Sequence, residues 1–272
     1  MKEIREPQVA GMFYPSDPKE LETQIKGYLN GIKINENLNH VAGIVSPHAG
    51  YIYSGKTAAY AYKTIEKEKY NNVIVISPSH REYFHGVSIY SGDAYRTPLG
   101  DIPINNSLRE KIISENSLIF AGREGHGVEH ALEVQLPFLQ ILLSNFQLIP
   151  MVIGDQRKEF IFELADVLYK NIDENTLLVA SSDLSHFYSK THANILDSRV
   201  VNYINDFNYH ELQSDLESKR CEACGGGGIV ALLKALKMKN YKNSKVIAHT
   251  DSGDVTGDDS EVVGYLSAVI YN

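Results

Sequence analysis

The chain has 272 residues, ten of them histidine and two cysteine, and 26 basic against 34 acidic side chains give a formal net charge of −8. Two cysteines exclude a disulfide framework and a Cys-only zinc site, and 43% hydrophobic with 22% charged residues excludes disorder. The acidic balance argues against nucleic acid or an anionic membrane as a general partner, which leaves the histidines to explain, because imidazole is the commonest metal ligand and the usual acid or base near neutral pH.

The start, Met1 to Pro7, is charged and lacks the apolar core of a signal peptide. No apolar run approaches the ~20 residues that cross a bilayer. A cytoplasmic, reducing location is therefore expected, with Cys221 and Cys224 as thiols. Asp17-Pro18-Lys19-Glu20 spells a helix start, with Asp as N-cap, Pro at the first helical position and Glu at the third. Leu21, Ile25, Tyr28 and Leu29 continue it as one apolar stripe.

Strands and helices then alternate. Short β-branched runs predict strands at 41–45, 73–76, 87–90, 102–104, 148–153, 177–180, 245–248 and 262–270. Helical periodicity covers 55–67, 129–144, 158–170, 192–204 and 229–237. Val73-Ile-Val-Ile76 is apolar at every position, which suits a strand covered on both faces. This order predicts an α/β fold, a three-layer α/β/α sandwich with a largely parallel or mixed central sheet. The last run is expected as an edge or antiparallel strand. No linker or repeat interrupts the chain, so residues 1–272 are read as one domain.

In such sheets ligands bind beyond the carboxyl ends of the strands. Three strands run directly into polar loops that carry a histidine. These are Ser46-Pro47-His48-Ala49-Gly50-Tyr51, Ser77-Pro78-Ser79-His80 and Ser181-Ser182-Asp183-Leu184-Ser185-His186. One loop histidine reads as a hydrogen-bonding group for its neighbours. Three at equivalent positions on parallel neighbours favour a shared site.

Cys221-Glu222-Ala223-Cys224 stands just before the helical run at 229–237. A helix N-terminus favours thiolate, the form that binds metal. Two ordinary thiols or a redox pair are the alternatives, and a polar helix rather than a strand ahead of Cys221 weakens the redox one. Gly225–Gly228 matches neither phosphate-binding glycine consensus and is read as close backbone approach to a pocket. His130 and Glu133 are expected three apart on one helix face, in a supporting or docking role, with Pro137 at a kink or break in that helix. Asp251 to Asp259 reads as a turn between strands. His40, His85, His126, His192, His210 and His249 have surface or core readings only.

These strings, together with Val9-Ala-Gly-Met-Phe-Tyr-Pro15, Glu129 to Leu139 and Ser252-Gly-Asp254, resemble the Memo family, called AmmeMemoRadiSam system protein B in prokaryotes. The resemblance runs from about residue 5 to the end. It implies the fold of class III (LigB-type) extradiol dioxygenases, which hold non-haem Fe(II) with two histidines and a glutamate. By position, His48 and His80 match the metal-binding histidines, and Cys224 stands where those enzymes have the glutamate. His186 matches their acid/base histidine, and Asp183 lines the same cleft. Gly228 departs from the proline often found there.

The resemblance therefore implies a metal-dependent redox enzyme using iron or copper, with zinc as a further option. His48, His80 and Cys224 would bind the metal. His186, oriented or charged by Asp183, would move protons. The alternatives are a non-catalytic scaffold that holds a peptide or small ligand in the cleft, and a zinc hydrolase. Family association further implies a radical-SAM protein and an AMMECR1-like protein as partners.

Overall fold

The computed structural model describes residues 2–34, 38–66 and 68–272. In chain order the elements are β1 (Ile4–Arg5), α1 (Pro18–Asn30), β2 (Gly43–Ser46), α2 (Tyr51–Lys63), β3 (Asn72–Pro78), β4 (Val87–Tyr90), β5 (Ala94–Thr97) and β6 (Gly100–Pro103). Next come α3 (Asn106–Glu115), β7 (Ile119–Gly122), a 3-10 turn (Glu133–Gln135), α4 (Leu136–Leu142), β8 (Gln147–Ile153), α5 (Lys158–Asn171), β9 (Thr176–Ser181) and β10 (His186–Tyr188). The chain closes with α6 (Lys190–Asn205), α7 (Tyr209–Glu217), α8 (Gly226–Met238), β11 (Asn243–Asp251), the short α9 (Gly253–Thr256) and β12 (Val262–Tyr271).

The main sheet has the order β10-β12-β2-β9-β3-β8-β4-β7, with β11 also paired to β12. Its centre is parallel: β2, β9, β3 and β8 all run the same way. Antiparallel pairs flank that centre, so the sheet is mixed. β12 is antiparallel, as expected, but it lies between β2 and β11 rather than at an edge. β1, β5 and β6 form a separate small sheet.

Alternate residues of the central strands feed two cores, which is the physical content of a sandwich. Ile74 and Ile76 of β3 pack with α5, α7 and α8 residues such as Leu164, Leu212 and Ile229. Val73 and Val75 pack on the other face with Leu21, Ala58 and Leu139 of α1, α2 and α4. All of these side chains are buried. The result is an α/β/α sandwich.

Asp17 caps α1, its carboxylate accepting from the N–H groups of Lys19 and Glu20, with Pro18 in the first turn. α2 begins four residues before the predicted start, at Tyr51. Lys67, the predicted end of that helix, lies outside the described residues. The stretch from Glu129 to Leu132 is not helical, so His130 and Glu133 do not share a helix face. α4 begins at Leu136 with Pro137 in its first turn, where a missing N–H costs nothing. The acidic loop after Asp251 does join two antiparallel strands, β11 and β12. No described helix is long and apolar enough to cross a membrane.

Candidate metal centre

Because β2, β9 and β3 are adjacent and parallel, their carboxyl ends open on the same side. Each hands the chain to a loop at that edge. The loops are tied together by hydrogen bonds. The His48 N–H donates to Asp183 Oδ1 at 2.7 Å, and the Ser182 N–H donates to the Ser46 carbonyl.

His48 is buried. Its Nδ1 lies 3.0 Å from Ser181 Oγ, and its Nε2 lies 3.1 Å from Cys224 Sγ. His80 is held by Glu129: its N–H donates to Oε2 at 2.6 Å and its Nδ1 lies 3.0 Å from Oε1. An ionised carboxylate only accepts, so His80 Nδ1 is the donor across that contact, and Nε2 is the ring nitrogen left to ligate a metal. Burial alone would push the Glu129 carboxyl up, but the bonds from His80 and the Ala131 N–H outweigh it and hold the group at about 2. This carboxylate–histidine arrangement is the usual support behind a metal-ligating imidazole.

Cys224 reaches the histidines through the turn into α8. Its N–H donates to the Asp183 carbonyl. Gln156 brackets the turn, donating to the Cys224 carbonyl at 2.7 Å and accepting from the Gly227 N–H at 2.8 Å. Gly225 lets the turn lie flat on the end of β9, since a Cβ there would stand 2.1 Å from the Ser181 carbonyl oxygen. The glycine run thus seats the cysteine against the sheet. Burial, followed by the charge of Asp183, pushes the Cys224 thiol far above its ordinary value. Desolvation therefore outweighs the helix-terminus effect expected from the sequence.

One ligand atom each from His48, His80 and Cys224 lie within 4.8 Å of one another. Tetrahedral bonds of about 2.0–2.3 Å place such atoms about 3.3–3.8 Å apart. The donor set therefore fits a single transition-metal ion: His48 Nε2 and Cys224 Sγ, 3.1 Å apart, are already near that spacing, and no pair has more than about 1.5 Å to close. His80, Glu129 and His130 form a second close group. In that group the Glu129 oxygens are taken, by both His80 donors and by the N–H groups of His130 and Ala131. Glu129 is thus a holder of His80. His130 stacks on His80 at 5.0 Å and against Phe13 at 4.7 Å, and burial keeps it neutral with a pKa of about 4.

The Memo family model, described as "Memo-like protein", matches residues 5–269. The chain belongs to the Memo family. It is 36% identical over 266 residues to a MEMO1 family protein of Thermoplasma acidophilum, covering 97% of this chain and 98% of that one. A MEMO1 family protein of Methanocaldococcus jannaschii is 34% identical over 287 residues, with 99% and 100% covered. Among solved structures, an uncharacterized protein of Escherichia coli K12 shares the fold, with a TM-score of 0.57 and 14% identity over 85% of this chain and 99% of that chain.

In this Memo-family chain the remaining expected residues divide. Asp183 is buried and its carboxylate serves His48, with Oδ2 3.9 Å from His48 Nε2. Burial pushes it up to about 7, against the pull of the His48 N–H and of His80. His186 leans instead on the Leu184 backbone, and its nearby carboxylates are Glu222 and Asp197. The structure therefore places Asp183 on His48 rather than on His186. His186 and Cys224 line a cleft of about 800 Å³, together with Leu184, Cys221, Glu222 and Arg157. Cys221 is a free, buried thiol whose pKa burial pushes up to about 12.

Sequence reasoning missed Arg5. Its guanidinium pairs with Glu133 and also donates to the carbonyls of His126, Gly127 and Glu129. Glu133 accepts in addition from the Gln8 and Val9 N–H groups and from Tyr14 Oη. This buried network fixes the loop that presents Glu129 and His130. The one available signal was a glutamate between apolar Leu132 and Val134.

Proposed function

We propose that this Memo-family chain binds one transition-metal ion through His48, His80 and Cys224 and acts as a metal-dependent redox enzyme on a small ligand in the adjoining cleft. The observation that carries this reading is the convergence of two imidazoles and a thiol within 4.8 Å, one imidazole already held by a carboxylate. Thiolate in place of the usual carboxylate makes the set softer, which favours copper or zinc beside iron. When bound, iron or copper would supply Lewis acidity and one-electron chemistry.

The chain's own residues divide the remaining work. Glu129 fixes the ring and the proton of His80. Asp183 fixes the backbone of His48. His186 faces the cleft beside Cys224 and is the group placed to pass a proton to or from a ligand. Leu184 and Ala223 add apolar surface to the same cleft.

The test is anaerobic dialysis of metal-free protein against Fe(II), Cu(I) and Zn(II) at micromolar levels, followed by metal analysis. One equivalent of iron or copper is expected, with affinity falling at least ~10-fold in His48→Ala and in Cys224→Ala. No uptake of any metal by the wild type overturns the reading. Ligand affinity that survives in metal-free His48→Ala would favour the non-catalytic scaffold.

A further inference from the structure

We propose that Ser181, held by Gln135 and Tyr62, is the positioning residue that puts the proton of His48 on Nδ1 and so turns the Nε2 lone pair towards Cys224. Its purpose rests on the metal role proposed above; the proton placement itself does not.

One buried chain of donors and acceptors leads from Tyr62 through Gln135 and Ser181 to His48. Tyr62 is fully buried, stacked on Phe138 at 4.7 Å and 8°. Its hydroxyl donates to Gln135 Oε1 at 2.7 Å. The Pro47 carbonyl, 3.0 Å from the other end of the amide, can only accept, so that end is the Nε2 donor, and it also donates to Ser181 Oγ at 2.8 Å. Ser181 has one proton, and the Ala131 carbonyl, 2.6 Å away, can only accept it. Ser181 Oγ therefore meets His48 Nδ1, at 3.0 Å, with a lone pair. His48 has to be the donor across that contact.

The other tautomer would set lone pair against lone pair, or draw the Ser181 proton off Ala131 and leave a buried carbonyl bare. Ser181 and Gln135 are both buried, so bulk water offers no substitute. With the proton on Nδ1, Nε2 is free to accept from the Cys224 thiol 3.1 Å away, or to ligate a metal. Glu129 does the same for His80 with a charge. Ser181 does it for His48 without one, and so adds no second negative group beside Asp183.

The experiment is a long-range proton–nitrogen NMR correlation on metal-free, histidine-labelled protein near neutral pH. Wild-type His48 should show Nδ1 protonated and Nε2 unprotonated. Ser181→Ala should move the ring towards the Nε2-protonated form and weaken metal binding about 10–100-fold. Ser181→Thr, which keeps the hydroxyl, should retain the wild-type pattern. An Nε2-protonated His48 in the wild type overturns the inference without recourse to any variant. So does an unchanged tautomer in Ser181→Ala. A wild type with the expected tautomer and no metal uptake overturns the metal reading alone and leaves this one standing.

Discussion

Glu129→Gln separates the stability of the site from its chemistry. In the wild type four N–H groups point at one carboxylate: those of His80, His130 and Ala131 on the backbone, and His80 Nδ1. An amide offers one accepting oxygen, so at least one of these donors must face an NH2 group. The Glu129 carboxyl falls from 4.5 to about 2 on folding. That lowering is worth roughly 3 kcal/mol of stability. The sign is that of a depressed acid: the stabilisation is complete above pH 4.5 and is lost as pH falls towards 2. In chelator-treated protein, urea unfolding at pH 7 should therefore show the variant less stable by about 3 kcal/mol. Wild type and variant should converge as the pH falls to about 2. Metal affinity should fall about 10–100-fold, because His80 loses the group that sets its ring and proton. A variant within about 0.5 kcal/mol of wild type at pH 7, the ordinary range for substitutions away from key features, would refute the reasoning.

Further outcomes follow from the same geometry. Gly225→Ala puts a methyl 2.1 Å from a backbone oxygen of β9, so it should cost about 1–3 kcal/mol and weaken metal binding as the Cys224 turn lifts; wild-type values in both unfolding and metal titration would contradict this. His126 is buried and its pKa is lowered from 6.5 to about 3 by burial. The unfolded chain binds that proton more readily, so His126 makes stability fall by about 1.4 kcal/mol per unit as pH drops from 6.5 to 3. His126→Gln should remove about one proton from the measured slope of unfolding free energy against pH. Glu133→Ala strands the Arg5 guanidinium and should cost about 3–5 kcal/mol by denaturant unfolding; a loss below ~1 kcal/mol would show that the network does not hold the loop.

The parts of the fold readable in the sequence are those where local pattern and tertiary role agree. Val73-Ile-Val-Ile76 is apolar throughout because both of its faces are covered. The histidine loops were visible because each follows directly on a strand, and the parallel order of β2, β9 and β3 then brings His48 and His80 together with Cys224. The helix expected from residue 129 failed for a local reason. Ala131, Leu132, Val134 and Leu136 have helical spacing, but the Glu129 carboxylate takes the next two backbone N–H groups and Glu133 turns away to Arg5. β1 has two residues, too few to carry a pattern, and its partner β5 is about ninety positions away. The family resemblance sets Asp183 beside His186 as the group that orients or charges it. Its carboxylate instead crosses to the loop of the neighbouring strand β2, which no local pattern records.

The central claim is that His48, His80 and Cys224 hold one metal ion. X-ray absorption on protein loaded anaerobically with Fe(II) or Cu(I) reads the ligand shell directly. Two imidazole nitrogens at ~2.0–2.1 Å and one sulfur at ~2.3 Å are expected, by analogy with zinc–ligand distances, with the sulfur gone in Cys224→Ser. A shell without sulfur in the wild type, or one that Cys224→Ser leaves unchanged, would contradict it.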